Sequence, residues 1–171
     1  PDYATGTPQG IRNDAPIIGT YGVNAQGSGD MYPKGGNMLH TIRQIVKDDG
    51  KWRDILRGLN TTFRHQTVTG QQVENYISRQ AGVDLSKVFQ QYLTTTNIPV
   101  FEFRMHGDSV DYRWNGVVDG FDMPLRVTIG SRDEMLHPTT SWQTLALPAG
   151  TVPSVKVVRN FYVTPRETFG R

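Results

Sequence analysis

Cysteine is absent from the 171 residues. That excludes disulfides, thiolate zinc sites, iron–sulfur clusters and a cysteine nucleophile. It favours an extracytoplasmic compartment without fixing one. Histidine and glutamate are scarce, at four each: His40, His65, His106 and His137, and Glu74, Glu102, Glu134 and Glu167. No two histidines lie within five residues of each other, so there is no H-E-x-x-H pair and no zinc-finger spacing. A metal site built within these residues is therefore not expected. Asp108, Asp111, Asp119 and Asp122 miss the alternate spacing of a calcium loop. Charge of one sign is also lacking. Eighteen basic residues are dispersed among sixteen acidic ones, for a net charge of +2. With no aromatic–basic recognition motif either, a nucleic-acid partner is not expected. No apolar run approaches the roughly 20 residues of a membrane span. There is no G-x-S-x-G elbow, and Ser28 sits in a Gly27-Ser28-Gly29 loop without a flanking strand. Lys34 precedes Gly35-Gly36, the reverse of a phosphate loop.

The apolar fraction of 36% and the charged fraction of 20% fit a globular chain. A chain of this length buries about 68–70% of its extended surface and needs no staple. Residues 1 to 29 lack an apolar period and read as irregular. The period changes at Asp30. Met38, Leu39, Ile42, Ile45 and Val46 mark one helix face, with Asp30 as the expected N-cap and Pro33 in the first turn. Trp52, Ile55, Leu56, Leu59 and Phe63 mark a second helix. Thr69 and Gln72 form a capping box for a third, which ends at Gly82. Leu85 to Leu93 is a fourth.

The period then becomes two. Phe101, Phe103 and Met105, then Val110, Tyr112 and Trp114, flank a Gly107-Asp108 turn and read as a hairpin. Leu125 to Ile129 reads as a third strand, and Trp142 to Leu147 and Val155 to Val163 supply two or three more. The expected fold is α+β: an irregular segment and about four helices, then a small antiparallel β-sandwich. The expected division is 1–97 and 98–171. Tyr112, Trp114 and Trp142 are either core or a ligand platform, and alternating aromatics in strands are more often core.

Tyr32-Pro33-Lys34-Gly35-Gly36-Asn37-Met38-Leu39 is unusual, because glycine in a helix costs about 1 kcal/mol against alanine. On composition alone, close helix packing accounts for the two glycines. The segment, followed by Ile42-Arg43, resembles the Tyr-x-Lys-Gly stretch of the aminopeptidase N-like zinc metallopeptidases, the gluzincin group. The resemblance continues through Trp52-Arg53-Asp54-Ile55-Leu56, Thr69 to Glu74, Gly82-Val83-Asp84-Leu85-Ser86, Val88-Phe89, Tyr92-Leu93 and Ile98-Pro99. It spans about Asp30 to Val127.

The resemblance implies a C-terminal portion of such a peptidase, without the H-E-x-x-H that precedes this segment in the family. Zinc is then expected in the parent protein and not in this chain. The partners are the rest of the catalytic domain and, in the parent, a peptide substrate. The isolated chain is expected to be inactive. Tyr32 is the one catalytic position the resemblance carries over, as the donor of a hydrogen bond to the oxyanion of peptide hydrolysis. Pro33 departs from the glutamate often found there. The alternative is a non-enzymatic module that binds sugar or protein through the sandwich.

Overall fold

The computed structural model describes residues 10–19, 21, 28–150, 152 and 154–169. Most of the expected irregular segment over 1–29 lies outside these residues. Where it is described before Gly29, it contains neither helix nor strand.

Among the described residues, a 3₁₀ turn at Gly29–Met31 leads into four helices: α1 (Pro33–Val46), α2 (Asp49–Thr62), α3 (Gly70–Ala81) and α4 (Ser86–Thr94). Each apolar stripe turns inward. Met38, Ile42 and Ile45 of α1 are buried with Trp52 and Ile55 of α2, Ile77 of α3, and Val88, Phe89 and Tyr92 of α4. Lys47, in a left-handed conformation, ends α1, and Asp48 caps α2 by accepting from the Lys51 amide at 2.9 Å. The Thr69–Gln72 capping box is complete, and Gly82 closes α3 at φ 75°. None of the helices is long and apolar enough to cross a membrane, among the described residues.

Among the described residues seven strands follow: β1 (Val100–His106), β2 (Ser109–Asn115), β3 (Leu125–Ile129), β4 (Arg132–Leu136), β5 (Gln143–Ala146), β6 (Val155–Val157) and β7 (Thr164–Glu167). They form two small sheets, ordered β5-β2-β1-β7 and β4-β3-β6. The fold is α+β, as the sequence suggests. Pairings are antiparallel except for β1 with β7, which is parallel. Phe101 faces Trp114 and Phe103 faces Tyr112 across the first hairpin. All four rings are buried, which places Tyr112 and Trp114 in the core.

Two strand assignments differ from the sequence reading. β4 is Arg-Asp-Glu-Met-Leu and mostly exposed, so it has no apolar alternation to betray it. Its pairing with β3 across a tight turn makes it a strand. Within the run from Val155 to Val163 only Val155–Val157 is strand, and β7 begins just beyond it. The run leaves the sheet after β6 because Phe161, Tyr162 and Val163 are buried where helices meet sheets. There the Tyr162 amide donates to the Thr41 hydroxyl of α1 at 3.0 Å rather than to a ladder.

Helices and sheets share one hydrophobic core. Polar stitches cross the stretch from Thr94 to Pro99. The fully buried Gln91 accepts from the Val118 amide at 2.7 Å and donates to the Asn97 carbonyl at 2.9 Å. The Tyr92 hydroxyl donates to the Tyr162 carbonyl, and the two rings stack at 5.6 Å.

Burial pushes the Tyr92 phenol well above the ordinary tyrosine range, with the neighbouring Tyr162 adding to the shift. A group raised in the folded state stabilises fully below its unfolded value, about 10 for tyrosine, and loses that contribution as pH rises through the folded value. Urea midpoints are therefore expected to fall from pH 9 to pH 11. Tyr92→Phe should flatten that fall while lowering the pH 9 midpoint, because it removes the bond to Tyr162.

Candidate functional site

The site is the joint between the 3₁₀ turn and α1. Ser28 opens the turn, its hydroxyl accepting from the Asp30 amide at 3.1 Å. Asp30 is buried and does not cap α1, contrary to the expectation from sequence. Its carboxylate points the other way and accepts from the backbone amides of Arg12 at 2.9 Å and Asn13 at 2.6 Å. It thereby ties the preceding segment to the helix entrance. The physical reason is that α1 begins at Pro33, with Tyr32 at the N-cap and already helical at φ −80°, ψ −63°. Asp30 is thus too far upstream to reach the free amides of the helix.

Tyr32 contributes its backbone to the fold and its ring to solvent. Its carbonyl accepts from the Gly36 amide at 2.9 Å, and its side chain is 80% exposed. Among the described residues the phenol has no hydrogen-bond partner. On its other side lies Lys34, fully buried, with its ammonium donating to the Thr95 carbonyl at the end of α4 at 2.7 Å. Burial lowers the Lys34 pKa, and the charge of Asp30 opposes that shift. Asn37 donates to the Pro33 carbonyl at 2.8 Å, and Thr41 to the Asn37 carbonyl at 2.9 Å. A cleft of about 500 Å³ opens beside the turn, with Arg12, Asp14, Ser28, Gly29 and Asp30 in its walls.

Gly35 and Gly36 are not explained by packing. Beyond its chain neighbours and the backbone of its own helix, a Cβ at either position would have no heavy atom within 4 Å. The expectation of close helix packing is overturned, and the glycines leave bare backbone one turn from Tyr32. Gly35→Ala and Gly36→Ala are each expected to stabilise this chain by up to about 1 kcal/mol. In a chain of this size that raises Tm by about 2–4 °C, a shift calorimetry resolves. An unchanged or lower Tm would contradict the open surroundings of these positions.

Sequence reasoning singled out Tyr32 but not the burial of its charged neighbours Asp30 and Lys34. Lys34 lies four residues before Met38, on the buried stripe of α1, and a lysine at such a position was the available signal. Among the described residues no three of His, Asp or Glu come together where they could hold a metal. The described residues do not fit a zinc site. A larger cleft of about 630 Å³ lies between the β3–β4 turn and the loop after β5, and Tyr32 is not in its wall. Of the aromatic residues considered as a platform, only Trp142 faces outward. The Arg104 and Arg113 guanidiniums lie 4.3 and 4.5 Å from its ring centroid.

No family model matches this chain. Over 81 residues, 47% of its length, it is 30% identical to the probable aminopeptidase 1 of Sulfurisphaera tokodaii. That match covers 10% of the Sulfurisphaera protein. The fold superimposes with a TM-score of 0.65 on Legionella pneumophila aminopeptidase A, solved in complex with aspartic acid. The superposition covers 93% of this chain and 21% of that one, at 11% identity. At that identity the likeness is one of fold alone. The chain thus spans a small part of the proteins it resembles, and the relationship is aminopeptidase-like.

Proposed function

We propose that this chain is part of a zinc-dependent aminopeptidase of the gluzincin type, in which Tyr32 donates a hydrogen bond to the oxyanion formed during peptide-bond hydrolysis. The observation that carries the reading is an exposed phenol without a partner among the described residues, set between two buried charged residues at a helix entrance. A phenol suits the task. It is neutral at pH 7, donates well, and stabilises developing negative charge without itself having to ionise. The bare backbone at Gly35 and Gly36 leaves room for another polypeptide to approach beside it.

The zinc ligands lie outside these 171 residues in this reading, so the isolated chain is inactive. Residues 1–97 complete the catalytic helical domain. Residues 98–171 form a β-sandwich that buttresses it through the shared core. The test is an assay of the complete gene product, and of this chain alone, on aminoacyl fluorogenic substrates with added zinc. Turnover by the complete product only is the expected result. Zinc-dependent turnover by this chain alone would overturn it.

A further inference from the structure

We propose that Asp30 and Lys34 are positioning residues for Tyr32, and that they hold its phenol in place through the backbone on either side of it. The proposal rests on the reading of Tyr32 given above. Relative exposure runs 2% at Asp30, 80% at Tyr32 and 0% at Lys34. A tyrosine that exposed receives no packing of its own to fix where its hydroxyl stands. Its location is set by the backbone it hangs from, and that backbone is fastened at two points. Upstream, the Asp30 carboxylate takes two amides, from residues 17 and 18 positions away in sequence. Downstream, the Lys34 ammonium reaches the Thr95 carbonyl across 61 positions.

Burying a lysine and an aspartate is costly unless each is well bonded, and an apolar side chain at position 34 would suit the stripe that continues to Met38 and Ile42. Stability alone does not call for this pair. Between them they tie the tyrosine's turn to two distant segments, one before it and one at the end of α4. Hydrogen bonds to charged groups are the stronger class and have defined directions. A displacement of about 1 Å at a reacting group costs on the order of 100-fold in rate, which gives such fastening a use.

The experiment is a double-mutant cycle in the complete gene product, with Lys34→Met, Tyr32→Phe and the pair. Lys34→Met is expected to lower kcat by about 10- to 100-fold with KM within about twofold. In the Tyr32→Phe background the same change should cost less than about threefold, because the group it positions is gone. Equal losses in both backgrounds would overturn the positioning role. Full turnover of Tyr32→Phe would overturn the reading beneath it, and the first edge of the cycle separates the two failures. A readout independent of activity is amide hydrogen exchange over residues 31–36. It should accelerate by about tenfold or more in Lys34→Met while α2 and α3 keep their protection. Unchanged exchange there would also overturn the proposal. Asp30→Asn, which keeps the shape and weakens the acceptor, serves as the second variant and should show the same coupling to Tyr32.

Discussion

On the proposed function, Tyr32→Phe is expected to lower kcat of the complete gene product by about 10²–10³ while leaving KM nearly unchanged. The substitution removes one hydroxyl and nothing else. Because the ring is 80% exposed and the hydroxyl makes no bond among the described residues, stability has no reason to change. Tm should stay within about 1 °C, so a fall in rate cannot be ascribed to unfolding. The size of the effect depends on water. A donor facing bulk solvent contributes little, since water supplies the same bond. The same donor in a closed, low-dielectric site contributes several times more. In this chain Tyr32 faces solvent, so the full effect requires whatever covers it in the assembled enzyme. A donor that acts only on the transition state lowers kcat and kcat/KM together. If KM rose instead and kcat held, Tyr32 would be a substrate contact and not an oxyanion donor.

How far this could be read in advance depends on the range of each interaction. Local signals survived. The Thr69–Gln72 capping box, the Gly107-Asp108 turn and the four apolar stripes all form within a few residues, and all are seen in the structure. Signals that depend on distant partners did not survive. β4 is a strand because β3 is beside it. Phe161 to Val163 looked like strand because they are apolar, yet they fill the helix–sheet junction. Asp30 has the chemistry of a cap but serves the amides of Arg12 and Asn13 instead. Tyr32 was singled out by its motif alone, and the burial of Lys34 was missed because its partner, the Thr95 carbonyl, lies at the end of another helix.

The largest stability loss is expected from Trp114→Ala, about 3–5 kcal/mol. Trp114 is 1% exposed, and its ring meets Phe101 edge-on at 5.7 Å and Phe121 at 5.5 Å. Its indole donates to the Met123 carbonyl at 3.2 Å. Removing it opens a cavity and leaves that buried carbonyl unpaired, and both costs add to the lost burial. Set against a typical total of 5–15 kcal/mol, this is enough to unfold a marginal chain near 37 °C. Trp142→Ala is the informative contrast. Trp142 is half-buried on the outer face, under two guanidiniums already bonded to the carboxylates of Asp111 and Glu102. Cation–π contacts at such sites contribute about 0.5–1 kcal/mol, so the fold should survive its loss. Urea titration of both variants checks the pair of values. The contrast also decides how the binding-module alternative has to be tested. Ligand binding lost in Trp114→Ala would report only on folding. Binding to a glycan array that disappears in Trp142→Ala at unchanged Tm would identify the outer face of the sheet as a recognition surface. Retained binding would remove Trp142 from any such role.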